Sequence, residues 1–114
     1  MSTYDALVKS VLSSTLNVQL GDDVIVETWD HGLPLAGAFV YHLRELGARP
    51  MLLFENEQTF WKSAESLPEE KLGKVGEHEW AAMEKSKAYI FIPGPADFPR
   101  IWRNRSKLCL NRLQ

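Results

Sequence analysis

The chain has 114 residues, of which 45% are hydrophobic and 25% charged, with a net charge of −2 and one cysteine, Cys109. That length suits a single domain able to bury roughly two-thirds of its unfolded surface. It contains no apolar run near the ~20 residues of a membrane-spanning helix, and a lone cysteine excludes an internal disulfide or a multi-thiolate zinc site. The start, Met1-Ser2-Thr3-Tyr4-Asp5, lacks a basic segment followed by an apolar one, so the expected location is cytoplasmic.

Charge divides unevenly. Residues 1–95 carry 8 Lys and Arg against 14 Asp and Glu, a balance of −6, while residues 96–114 carry 5 against 1, a balance of +4. The basic tail Arg100, Arg103, Arg105, Lys107 and Arg112 is interleaved with Ile101, Trp102, Leu108, Leu110 and Leu113. No nucleic-acid motif accompanies it, so it reads as a solvated helix face lying against acidic surface, not as a nucleic-acid site.

In chain order, Tyr4, Leu7, Val8, Val11, Leu12 and Leu16 form one apolar stripe, which predicts an amphipathic helix over 3–16. Ser2 or Thr3 is placed to cap it. Leu20-Gly21-Asp22-Asp23 is a turn, and Val24-Ile25-Val26 a short β-branched run fit for a buried strand. Gly32-Leu33-Pro34 opens a second helix, with Leu35, Ala36, Phe39, Val40, Leu43 and Leu46 at helical spacing and Gly47 as a left-handed stop. Pro50-Met51-Leu52-Leu53-Phe54 begins a second strand.

Further on, Asn56 is placed to cap a helix carrying Phe60, Trp61 and Ala64. Ser66-Leu67-Pro68-Glu69 has capping-box spacing and starts another short helix, and Trp80, Ala82 and Met83 mark a third. Ala88-Tyr89-Ile90-Phe91-Ile92 is the third strand, closed by Pro93-Gly94-Pro95, and the stretch from Asp97 onward reads as helix, broken near Pro99. Three near-continuously apolar strands separated by helices predict a three-layer α/β/α sandwich around a small parallel sheet in the order 2-1-3, covered on both faces. Residues 1–95 form this α/β domain and 96–114 a basic helical tail. So small a sheet, followed by a helix where the layout would next supply a strand, is expected of the N-terminal domain of a longer protein.

In open α/β sheets, ligands sit beyond the carboxyl ends of the strands. That rim is Thr28-Trp29-Asp30-His31-Gly32, then Glu55-Asn56, then Pro93-Gly94-Pro95-Ala96-Asp97. Its polar candidates are Asp30, His31, Glu55 and Asp97. Asp30 and His31 before a helix could bind an anion or assist proton transfer, although a polar loop in which Asp30 caps that helix explains them as well. One glycine in the first turn is too few for a dinucleotide fingerprint, and no phosphate-binding loop is present. Glu77-His78-Glu79 are adjacent residues that point in different directions on a helix. No metal site is assigned. Four tryptophans are many for this sheet, and Trp61, Trp80 and Trp102 are the candidate association surface.

The stretch from Leu16 to Val26, with its L-x-V-x-x-G-D-x-V pattern, resembles the opening of the metallo-aminopeptidases of the aminopeptidase T type. The similarity continues through Leu33-Pro34-Leu35, Leu43-Arg44-Glu45-Leu46-Gly47-Ala48-Arg49-Pro50 and Ala88–Ile92, covering residues 4 to 95. The resemblance implies that family's N-terminal α/β domain, which encloses an active site and makes subunit contacts in a homodimer. It also implies that the two-metal site and its glutamate, histidine, tyrosine and aspartate ligands lie in a C-terminal domain. No ligand maps onto a position here, and no cofactor is expected in this chain.

Two other readings stay open: a free-standing module binding a small molecule or peptide at the strand-end rim, and a small hydrolase using Asp30, His31 and Asp97. The apolar stripe of the second helix makes its own prediction. Phe39→Ala should destabilise the fold by ~3–5 kcal/mol in urea unfolding, whereas a loss below ~1 kcal/mol would show that the ring does not face the core.

Overall fold

In the computed structural model, which describes residues 2–73 and 75–92, helix α1 (Ser2–Ser10) runs directly into a π-helical turn, Val11–Thr15. Leu16 N–H donates to Val11 O at 2.9 Å, and the Ser13 hydroxyl donates back to Lys9 O at 2.8 Å, a bond that loosens the helix where the turn widens. Asn17, in the left-handed region at φ 51°, ends it. The expected helix over 3–16 is therefore present with a wider final turn. It already includes Ser2, so the helix begins ahead of a cap at Thr3.

Strand β1 (Asp23–Trp29) is followed by a 3-10 turn (Asp30–Gly32), helix α2 (Leu33–Glu45) and strand β2 (Arg49–Glu55). Gly47, at φ 82°, lets α2 close: its N–H donates to Arg44 O and the Ala48 N–H to Leu43 O, which satisfies two carbonyls at the helix end. Helices α3 (Glu57–Ser66), α4 (Glu69–Leu72) and α5 (Glu77–Lys85) precede strand β3 (Ala88–Phe91). The sheet is parallel, in the order β2-β1-β3.

Three expectations change in detail. Thr28 and Trp29 belong to β1 and Glu55 to β2, because the two strands stay paired as far as Trp29 opposite Glu55. Ser66 ends α3, and the N-cap of α4 is Pro68, not Ser66. The third difference is that the sheet is not fully covered. Pro93 to Gln114, with Asp97, Trp102, Cys109 and the expected tail helix, lie outside the described residues.

Reversing direction after β2 sends the two right-handed crossovers to opposite faces of the sheet. Val24, Val26, Ile90 and Ile92 join Ala36, Phe39 and Leu43 of α2 and Val8 and Leu12 of the α1 arm in one core. On the other face Trp29 meets Phe60 of α3 edge-on, with ring centres 4.6 Å apart. Cover is incomplete. Met51, Leu52 and Phe54 of β2 are 42–49% exposed, although the apolar run predicts burial on both faces. On the α1–α2 face Ile90 and Ile92 are buried while Leu52 and Phe54 are half-exposed, so the cover on this face is thinner over β2.

One contact tying α1 to α2 is polar. His42, buried on α2, donates from Nε2 to Asp5 Oδ1 at 2.8 Å and from Nδ1 to Glu45 Oε1 at 2.9 Å. Only the imidazolium has two N–H donors. The hydrogen bond to Asp5, then that to Glu45, raises the His42 pKa above its usual 6.5, against the opposing effect of burial. A raised folded-state pKa contributes stability that is fully present below pH 6.5 and fades as pH rises through the folded value. Urea unfolding from pH 5.5 to 9 should show that decline, and Asp5→Ala should lower stability by about 1 kcal/mol at the acid end and by less at the alkaline end. A pH-independent difference between the two proteins would exclude this role for Asp5.

Candidate functional site

The carboxyl ends of the strands bring Asp30, His31, Glu55, Asn56 and Glu57 to one rim. Asp30 follows β1 directly and reaches across to the start of α3. Its Oδ1 accepts the Glu57 backbone N–H at 2.9 Å, and its Oδ2 accepts Asn56 Nδ2 at 2.9 Å. Asn56 Oδ1 in turn accepts the Thr59 N–H at 3.0 Å and the Thr59 hydroxyl at 2.8 Å. Two side chains thus serve the unpaired donors of one helix, with a carboxylate at its positive end.

The capping role expected of Asp30 therefore exists, but on α3 and not on the helix that follows Asp30 in sequence. Asn56 caps α3 as its position predicts. Glu57 supplies Oε2 to the indole N–H of Trp61 at 3.1 Å. An open cleft of about 430 Å³ lies here, lined by Asp30, Glu57, Gln58, Trp61 and Lys62. His31 is exposed and does not line it, and Glu55 is partly buried at the end of β2.

Gly32 shows why one glycine is needed in this turn. A Cβ there would overlap the Thr28 hydroxyl and come within 2.9 Å of Ile92 Cγ2. The backbone entering α2 is packed directly on the ends of β1 and β3, where an open α/β sheet leaves its crevice. Thr28 is itself fully buried, and its hydroxyl donates to Trp29 O at 3.3 Å.

The candidate association residues separate. Trp61 is 3% exposed, held between Phe60, at 5.0 Å between ring centres, and the Glu57 carboxylate, so its indole is not available to a partner. Trp80 is 54% exposed on α5, and Trp102 is outside the described residues, as is Asp97. Among the described residues no three His, Cys, Asp or Glu side chains converge as a metal-binding group. Sequence reasoning missed the clasp of His42 and the reach of Asp30 to α3. The signals available were a Glu three residues after His42 and an Asp on the otherwise apolar stripe of α1.

No protein-family model matches this chain, and no curated protein matches it at a significant level.

The chemistry of the rim is that of a latch. Asp30 holds the sheet end to α3 through a backbone and a side-chain donor. Asp30→Ala should therefore lower stability by about 1–2 kcal/mol in urea unfolding, as loss of a helix cap does. A change under about 0.3 kcal/mol would mean that water replaces the carboxylate without penalty.

Proposed function

We propose that this chain is the non-catalytic N-terminal α/β domain of an aminopeptidase-like metallopeptidase of the aminopeptidase T type, contributing to active-site enclosure and subunit contacts. The observation that carries this reading is where the resembling stretches fall. Leu16–Val26 leads into and forms the first part of β1, Leu33-Pro34-Leu35 opens α2, Leu43–Pro50 turns α2 into β2, and Ala88–Ile92 contains β3. Together they fall on the first half of β1, the two ends of α2, the start of β2 and the whole of β3, not on scattered surface segments. The engagement of Asp30 and Glu57 in holding α3 and Trp61 supports a structural task for the rim.

A binding module is the second reading, favoured by the cleft of about 430 Å³ beside Asp30 and Trp61. The two readings separate in one set of measurements. The purified chain, dialysed after exposure to zinc or cobalt, should retain no stoichiometric metal and should not hydrolyse a leucyl anilide. The coding frame downstream of Gln114 should carry the Glu-, His-, Tyr- and Asp-bearing catalytic domain, and deleting residues 1–92 from that longer protein should depress its peptidase activity. Chelator-sensitive hydrolysis by the chain alone, or full peptidase activity without residues 1–92, overturns the proposal. A stop codon together with ligand-induced shifts at Gln58 and Lys62 favours the binding module.

A further inference from the structure

Among the described residues strand β2 is an edge of the sheet, and its sequence Arg49-Pro50-Met51-Leu52-Leu53-Phe54-Glu55 carries opposite charges at its two ends. A cation opens it, an anion closes it, and five apolar residues lie between. Arg49 N–H donates to Asp22 O at 2.8 Å, towards β1, so the alternation of a strand turns Pro50, Leu52 and Phe54 outward. Proline sits at an outward position, where its missing N–H leaves no gap in the ladder with β1. Pro50 blunts one end of this edge, while the stretch from Met51 to Phe54 carries no lysine, glutamate or bulge, the other usual devices that keep a strand edge from pairing.

The surface above the edge is apolar as well. Leu52 and Phe54 are 44% and 49% exposed on the face that carries α2. Leu33, Gly37 and Val40 lie on the flank of α2 opposite His42, away from the helix that grips it. Leu33 is 41% exposed, and a Cβ built on Gly37 meets nothing within 4 Å. A glycine inside an exposed helix is unfavourable by about 1 kcal/mol relative to alanine, and close approach of another backbone gives it a use.

We propose that the β2 edge pairs antiparallel with the β2 edge of a second copy of this chain, about a two-fold axis through Leu52, to form a continuous six-stranded sheet. In that register the two Leu52 residues exchange both backbone hydrogen bonds, and each Phe54 N–H donates to the other copy's Pro50 carbonyl. Each proline supplies its carbonyl but no N–H, so the ladder keeps four of its six bonds and each Phe54 carbonyl turns to water at the ends of the joined edge. Arg49 of each copy stands opposite Glu55 of the other on the same face, so the strand ends are complementary in charge. Arg49 holds its own Asp23 through Nε and Nη2 with a side chain 71% exposed, so it stays open to a second carboxylate. A parallel pairing would set Arg49 beside Arg49 and Glu55 beside Glu55. The antiparallel second copy is thus the occupant that this edge selects.

This surface specifies the subunit contact of the proposed function and is tested by association alone, so either can fail without the other. Sedimentation of the full 114-residue chain from about 5 to about 500 µM should show the mass rising from one chain to two. Leu52→Lys, at an exposed position, should weaken association at least ~10-fold with an unchanged urea midpoint, while Trp80→Ala leaves association as it was. In a Cys109→Ser background, Leu52→Cys should form a covalent dimer on mild oxidation, because Cα atoms in such a pair stand ~5.5 Å apart. Tyr89→Cys, on the opposite edge strand, should not. A constant monomer mass, a dimer indifferent to Leu52→Lys, or equal cross-linking through Tyr89→Cys would overturn the proposal.

Discussion

Everything in this fold hangs on the double pairing of β1. Its backbone is bonded to β2 on one side and β3 on the other, and Val24, Ile25 and Val26 are at most 1% exposed. A strand buried on both faces and paired on both edges offers no polar group to water, so β-branched apolar residues are the only chemistry it tolerates for long. The helices are placed by that strand. The chain leaves it towards β2 over one face and must return past it to β3 over the other, so each face of β1 receives cover from a different crossover.

The ends of β1 carry the polar work. At its start, Arg49 grips Asp23 at 2.6 Å through Nε, tying β2 to β1 at the edge of the sheet. At its end, Asp30 ties the sheet to α3. Between them the strand is apolar apart from Glu27 and the buried Thr28, whose hydroxyl faces the glycine that begins the next helix. Functional proposals follow from this division. The strand-end rim, where ligands commonly sit in α/β proteins, is here occupied by groups that hold the scaffold together. Among the described residues the apolar edge of β2 is one of the surfaces that stay exposed.

The clasp of His42 shows how a buried titratable group can be stabilising without being catalytic. Two carboxylates from different helices meet one imidazole, and only the charged ring can donate to both at once. The clasp joins α1 to the packed unit of α2 and the sheet at a point where the surrounding core supplies only dispersion and hydrophobic contact. It makes the docking of the first helix sensitive to pH while the β1 ladders, which contain no titrating group in their backbone bonds, are not.

The order and type of the elements were determined by the sequence itself. Strands of four to seven residues with β-branched or aromatic character, a helix opened by proline and closed by Gly47, and long crossovers between strands leave the parallel order 2-1-3 as the natural layout. Asn56 could also be read as a cap, since its partner Thr59 lies only three residues away. Only the tertiary structure decided that Asp30 serves α3 and not α2, that His42 meets Asp5 37 positions earlier, that Trp61 turns inward and that, among the described residues, β2 stays half-exposed. The reason is range. Periodicity and caps are set by neighbours within about a turn of the chain, whereas these outcomes depend on which elements the sheet brings together and on how far α1 extends across a face. The apolar run of β2 is the clearest case. A run of such residues means burial, but whether the same chain or another copy supplies the cover is settled by the space beside the strand, which no local pattern encodes.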